Sequence, residues 1–326
     1  IGVFRPSTGM WYFDLDNDGW TLCQADSGTD LCAGPFGAPG DKPVLGDWDG
    51  DNRVAIGVYR PVPGTWYLDN GDGKWDLVNG IDVLMDTFGA PTDLPIAGDW
   101  DGDGITTIAT YRQGQWLLGT ADGFMRGTVA WNGSLIDVAD ANFGAPTDLP
   151  VAGDWNGDGK AQIGVYRQGQ WFLDFNGNRQ WDADLDKVIA AFGAPTDLPV
   201  AGDVDGDGIS EIGVYRPSTG QWYFDLDNDG WGGCTTDVPA GTDLCLGPFG
   251  APTDKPVTGD WNSDGVAEIG VYRQGTWYID FNGSGTWEDP ATAPDPATAD
   301  QVHNNFGGAA DIPVTGIWQQ PPVIID

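Results

Sequence analysis

Residues 192–231 read FGAPTDLPVAGDVDGDGISEIGVYRPSTGQWYFDLDNDGW and hold one structural repeat. LPVAG, EIGVYR and QWYFD are short runs of alternating, β-branched or aromatic residues bounded by Gly, Pro, Asn or Asp, the pattern of strands. A variable stretch carrying a Trp supplies a fourth strand before the next FGAP. The IGVYR run recurs from Ile1, Ile56, Ile108, Ile163, Ile212 and Ile269, dividing residues 1–326 into six units. All 17 tryptophans fall on repeat positions, which makes them architecture first.

Six units of four antiparallel strands, set radially, make a six-bladed β-propeller, an all-β fold that leaves only short, protected edges. A linear solenoid is the alternative, but its repeats run to ~20–45 residues and it needs a cap at each end. The chain ends favour the ring: FGGAADIPVTGIW from Phe306 supplies one strand, and IGVFR at Ile1 begins at the phase that follows. The N- and C-terminal strands are expected to pair in one composite blade of a single domain spanning 1–326. The same phase match would let each chain complete the next, head to tail.

Composition points to turns and aromatics rather than helices: 51 Gly, 23 Pro, and only three glutamates (Glu211, Glu268, Glu288) among 49 acidic residues. A net charge of −35 repels phosphate, which argues against nucleic acid and makes cations the natural partners. No apolar run approaches the ~18–20 residues of a membrane span, and residues 1–5 do not resemble a signal peptide, so no direct membrane insertion is expected.

Five units carry oxygen side chains at alternate positions of a short loop: Asp47, Asp49, Asp51; Asp99, Asp101, Asp103; Asp154, Asn156, Asp158; Asp203, Asp205, Asp207; and Asp260, Asn262, Asp264. Three such groups within five residues repel unless a cation lies among them, and the spacing suits Ca²⁺, a hard ion taking ~6–8 oxygens. A carbonyl at the seventh position (Arg53, Ile105, Lys160, Ile209, Val266) and an acid at the ninth would finish the shell. Only Glu211 and Glu268 supply that acid, where the other units have Ala55, Thr107 and Gln162, so the fourth and fifth loops rank strongest. About five structural Ca²⁺ ions are expected; a plain Asp/Gly turn is the bland alternative.

A second acidic turn follows the WYLD strand: Asp14, Asp16, Asp18; Asp174, Asn176, Asn178, Asp182; Asp225, Asp227, Asp229; and Asp280, Asn282, Ser284, Glu288. Asn-Gly and Asp-Gly are also strong hairpin signals, so these are either further Ca²⁺ loops or ordinary turns.

The string FG, GDWDGDG, EIGVYRP resembles the FG-GAP or VCBS-type repeats of integrin α-subunit propellers and secreted prokaryotic propellers, over essentially the whole chain. The resemblance implies that Ca²⁺ sits in the loop between the first and second strands of a blade. It also implies blades starting near Phe36, Phe88, Phe143, Phe192 and Phe249, with Phe306 onward joining residues 1–35. Here the GAP triplet directly follows FG rather than the second strand, and there are six units rather than seven.

Cys23 and Cys32 in the first unit lie at the place of Cys234 and Cys245 in the fifth, which favours local disulfides and an oxidising, extracellular or cell-surface setting. Zinc is the other reading, but no CxxC knuckle is present and His303 is the single histidine, expected in a solvated loop after the insertion at 289–300. Asn132 and Asn282 head glycosylation sequons. No GxSxG, HExxH or phosphate-cradling loop appears, so no enzyme activity is expected.

Arg5, Arg60, Arg112, Arg167, Arg216 and Arg273 each follow an aromatic residue, and Trp66, Trp116, Trp171, Trp222 and Trp277 come next along the chain. Arg with Trp can hold a sugar by bidentate hydrogen bonds and stacking. Each Arg can instead pair with the Asp of the PTD turn (Asp41, Asp93, Asp148, Asp197, Asp254, Asp311), the favoured alternative. The expected function is a calcium-binding propeller in extracellular adhesion or recognition of a protein or glycan; the rival is a subunit of an extracellular filament or surface layer, its partners other copies of itself.

Overall fold

The computed structural model describes residues 1–15, 30–69, 71, 73–74, 82–86, 88–119, 139–235, 243–293 and 299–315. The described residues are all-β, without helices, and form six antiparallel sheets, the blades of a six-bladed β-propeller. Packing divides the chain into two compact units, residues 1–141 with 305–326 and residues 142–304.

In the first unit, the first blade is Lys42–Gly46, Ala55–Arg60, Thr65–Leu68 and Val83–Met85, and the second is Leu94–Gly98, Thr107–Arg112, Gln115–Leu118 and Ala139–Asn142, whose last residue reaches the unit boundary. The composite blade is as expected: Ile312–Val314 pairs antiparallel with Gly2–Arg5, followed by Met10–Asp14 and Asp30–Ala33. The C-terminal strand is thus used within its own chain.

The second unit holds the third blade (Leu149–Gly153, Gln162–Arg167, Gln170–Leu173, Lys187–Ile189), the fourth (Leu198–Gly202, Glu211–Arg216, Gln221–Asp225, Asp243–Leu246) and the fifth (Lys255–Gly259, Glu268–Arg273, Thr276–Ile279, Gln301–His303). The fourth departs from four strands: Cys234–Thr235 adds a short fifth, parallel to Asp243–Leu246 and tied to it by the Cys234–Cys245 disulfide.

Burial explains the strand patterns. Glu211–Arg216 lies between two strands and is buried at every position except its terminal Arg. Gly213 in its middle faces Phe224; a Cβ there would stand 2.4 Å from that ring, so the close crossing requires glycine. On the third strand the period of two sends Trp222 inward and Tyr223 outward. The buried indole donates to Phe249 O at 2.8 Å, as Trp11 does to Phe36 O, Trp66 to Phe88 O and Trp171 to Phe192 O. The neighbouring Tyr hydroxyls donate to the GAP alanine of the next blade: Tyr59 to Ala90 O, Tyr166 to Ala194 O and Tyr215 to Ala251 O, at 2.7–2.8 Å. FG and GAP are therefore seams between blades.

His303 is a correction. It is buried in the fourth strand of the fifth blade, opposite Trp277, where the third blade has Ile189 opposite Trp171. The register of the repeat carries it into the sheet despite the insertion before it.

Candidate functional site

Antiparallel order puts the first-to-second and third-to-fourth connections at one end of each blade and the second-to-third turn at the other. The DxDxDG loops occupy the first connection. In the fourth blade Asp203 Oδ1 accepts from Gly206 N at 2.7 Å, its Oδ2 accepts from Gly208 N at 2.9 Å, and Asp207 Oδ1 accepts from Ile209 N at 2.8 Å. Glu211, on the strand that follows, is fully buried; Oε2 accepts from Val204 N at 2.7 Å, while Oε1 is buried with no hydrogen-bond partner. One oxygen from each of Asp203, Asp205, Asp207 and Glu211 lies within 4.8 Å of the others. Burial, and then the loop carboxylates, push Glu211 up to about 8.

The fifth blade repeats this with Asp260, Asp264 and Glu268, the last pushed up to about 7 by burial, and with Asn262 Nδ2 donating to Glu268 Oε1 at 2.7 Å. Asp47, Asp49, Asp51 and Asp99, Asp101, Asp103 converge likewise in the first two blades. In the third, Gln162 replaces the glutamate: its Nε2 donates to Asp158 Oδ1 at 3.0 Å and to Asn156 Oδ1 at 3.4 Å, so an amide partly serves that loop from within, while Asp154 accepts from backbone N–H groups. At the seventh positions, the N–H groups of Arg53, Ile105, Lys160, Ile209 and Val266 donate to the aspartate two residues before. Several of these acidic groups can thus hold a cation, and the donor set is the all-oxygen kind that suits a hard one. Successive loops are stapled: Thr106 N donates to Asp47 O, Ser210 N to Asp154 O and Ala267 N to Asp203 O, at 2.7–2.8 Å.

The second turns lie at the same end. Asp225, Asp227 and Asp229 converge, and Asp174 and Asp280 are fully buried, with burial pushing them up to about 6 and about 7. Asp14 is buried as well, while Asp16 and Asp18 lie outside the described residues. Asn282 is exposed and donates to Glu288 Oε2; Asn132 lies outside the described residues. Sequence reasoning missed the partners that arrive at the head of the fourth strand, Asp30, Asp82, Asp186, Asp243 and Asp300.

At the opposite end every repeat Arg is ion-paired with a PTD aspartate: Arg5–Asp311, Arg60–Asp41, Arg112–Asp93, Arg167–Asp148, Arg216–Asp197 and Arg273–Asp254. The carboxylates are buried and the guanidinium groups are about one-third exposed. Arg5, Arg60, Arg167, Arg216 and Arg273 also stack on Tyr12, Tyr67, Phe172, Tyr223 and Tyr278, at 4.5–4.7 Å from the ring centres.

Trp66, Trp116, Trp171, Trp222 and Trp277 require correction as ligand contacts: all are completely buried and offer no ring face. Among the described residues the exposed indoles are Trp181, Trp231 and Trp287, at 40%, 44% and 38%. Trp181 packs on Phe143 and Phe172, Trp231 on Phe192 and Tyr223, and Trp287 on Phe249 and Tyr278. Arg167, Phe172, Trp181 and Phe143 line a shallow cavity of about 260 Å³, and Arg60, Tyr67 and Phe36 line one of about 250 Å³.

Cys234 and Cys245 form an intramolecular disulfide; Cys32 is also disulfide-bonded, and Cys23 lies outside the described residues. Among the described residues no helix is long and apolar enough to cross a membrane.

No protein-family model and no curated protein matches the chain. Among solved structures, one similar chain is an Agrocybe aegerita lectin, described for its specific recognition of non-reducing terminal N-acetylglucosamine. It is 15% identical, with a TM-score of 0.49, and the match covers 79% of this chain and 68% of that one.

Proposed function

We propose that this is a non-enzymatic, calcium-binding β-propeller of the FG-GAP kind that works outside the cell in recognition, its ligand a neutral carbohydrate. The observation that carries the proposal is the recurrence, in three successive blades, of an exposed indole against an aromatic ring that also carries a stacked Arg. An indole face covers the C–H face of a sugar ring, and a guanidinium held in fixed orientation by a buried carboxylate recognises hydroxyl pairs without losing side-chain freedom. A net charge of −35 works against sialylated or sulfated glycans and leaves neutral ones favoured. Calcium in the DxDxDG loops serves stability, since those loops lie at the blade end away from the Arg turns. The disulfide and the need for millimolar Ca²⁺ both fit an extracellular setting.

The test is a neutral and acidic glycan array probed in millimolar Ca²⁺ with the parent and with a Trp181→Ala, Trp231→Ala, Trp287→Ala triple variant. Retention of neutral glycans by the parent alone, at equal melting temperatures, is expected. A parent that retains no glycan, or a triple variant that binds equally well, overturns the proposal.

A further inference from the structure

We infer that the turn between the third and fourth strands is a second cation-binding loop in the third and fifth blades, completed by a distant aspartate, Asp186 or Asp300. This site is separate from the DxDxDG loops; in the third blade it adjoins the aromatic cavity, because Trp181 of that cavity precedes Asp182.

In the third blade Asp174 ends the third strand. Its Oδ2 accepts from Arg179 N at 2.7 Å, while Oδ1 is fully buried and has no hydrogen-bond partner. Asp186, just before the fourth strand, closes the other side, with Oδ1 accepting from Phe175 N at 3.1 Å and Oδ2 from Asp182 N at 2.6 Å. In the fifth blade Asp280 accepts from Ser284 N and Gly285 N at 3.0 and 2.7 Å. Facing it is Asp300, fully buried, with Oδ2 bonded to Glu288 N at 2.6 Å and Oδ1 without a donor; its carboxyl meets that of Asp280, so the pair shares a proton when no cation is bound. In both blades the orphan oxygen belongs to the pair that brackets the turn, and each pair comprises carboxylates drawn from opposite sides of the same loop.

Among the described residues no Lys or Arg forms an ion pair with Asp174, Asp186, Asp280 or Asp300. Asp174, Asp280 and Asp300 are withdrawn from water and Asp186 is half-buried, and carboxylates that face one another there as anions are unfavourable without a cation. The remaining groups, Asn176, Asn178 and Asp182 or Asn282, Ser284 and Glu288, are oxygen-bearing side chains at the third, fifth and ninth positions of each turn, so the ligand class is a hard divalent cation of the size of Ca²⁺. The fourth blade differs, because Lys187 reaches toward its cluster and lies 3.5 Å from Asp227 O. That lysine supplies a positive charge from the protein itself, so the proposal stops at two sites.

The test is native mass spectrometry of the full chain in Ca²⁺, counting bound ions, for the parent, Asp174→Asn, Asp300→Asn and, as a marker of the DxDxDG loops, Glu211→Gln. Asp174→Asn and Asp300→Asn are each expected to remove one ion. In excess chelator they are expected to melt above the parent, because the amide removes a buried charge; an aspartate with only a structural role would lower the melt under both conditions. An unchanged ion count in both, or a lowered melt in chelator, overturns the proposal. An unchanged count in Glu211→Gln alone counts against the first loops and leaves this site standing. If either variant fails to fold, Tb³⁺ luminescence of the parent and of a Trp181→Phe, Trp287→Phe variant decides. Partial loss of the sensitised emission supports ions beside Asp182 and Glu288, and full retention overturns it.

Discussion

Asp197 and Asp203 stand at opposite ends of the same strand pair and show two ways to keep a carboxylate out of water. Asp197 is buried, but Arg216 Nη2 meets it at 2.8 Å and Ala194 N donates a further bond at 2.8 Å, so the protein supplies its own counter-charge. Asp203 receives only backbone N–H groups of its own loop and is surrounded by Asp205, Asp207 and Glu211. One end of the blade is electrostatically complete, and the other needs a charge from solution. The difference teaches that the large negative charge of the chain is not evenly distributed in consequence: the turn aspartates are neutralised in place, and the excess sits in the loops.

The comparison breaks most visibly on removal of calcium. An ion at a hundredfold above its dissociation constant contributes about 2.7 kcal/mol. Several loops emptied together should therefore lower the melting temperature by more than ~10 °C. Differential scanning calorimetry with and without excess chelator measures this, and coincident melts would contradict any ion in the loops. The complete end should respond to mutation instead. Arg216→Ala leaves Asp197 buried without its partner and should cost roughly 2–3 kcal/mol, below the usual range for a broken buried pair because the guanidinium is partly solvated. Denaturant titration should return the same loss with calcium and with chelator; a loss that vanishes in chelator would mean the two ends are coupled.

The parts of this arrangement that were legible in the sequence are those carried by local, phased residues. Strand positions and Arg–Asp pairs recur in six units and the DxDxDG loops in five, so several copies report the same geometry, and the phase of the two chain ends marks the composite blade. The aspartate partners of the second turns were not legible, because Asp186, Asp243 and Asp300 lie 12, 18 and 20 residues after Asp174, Asp225 and Asp280. A ligand that arrives across an insertion of variable length leaves no spacing to recognise. The division of the tryptophans was also missed, although a signal existed. In QWYFD the alternation of a strand places Trp222 and Tyr223 on opposite faces, and Tyr223, paired with Val214 two residues before Arg216, shares the face of that Arg, as Trp222 does not.

The smallest and sharpest test is pH, because the two ends titrate in separate windows. In chelator, Glu211 is held at about 8 against 4.5 for the free side chain, and Glu268 at about 7, both chiefly by burial. The folded state therefore holds protons that the unfolded state has released. Their stabilising contribution is fully present below pH 4.5 and is lost as pH rises through about 7 to 8. Chelated protein should accordingly melt a few degrees higher at pH 5 than at pH 8 (~1 kcal/mol or more, at ~2–4 °C per kcal/mol). With calcium bound the slope reverses, since acidification displaces the ion by protonating its ligands. At the Arg end burial pushes Tyr59, Tyr166 and Tyr215 up to about 12 from 10.0, so the contribution of these hydroxyls is complete below pH 10 and is lost between 10 and 12 whether or not calcium is present. Melting curves from pH 5 to 12 in calcium and in chelator should therefore converge at the acid side, where the ion is displaced, and run parallel at the alkaline side. Parallel curves throughout would mean that the loop carboxylates do not depend on an ion, and the contrast between the ends would fall with them.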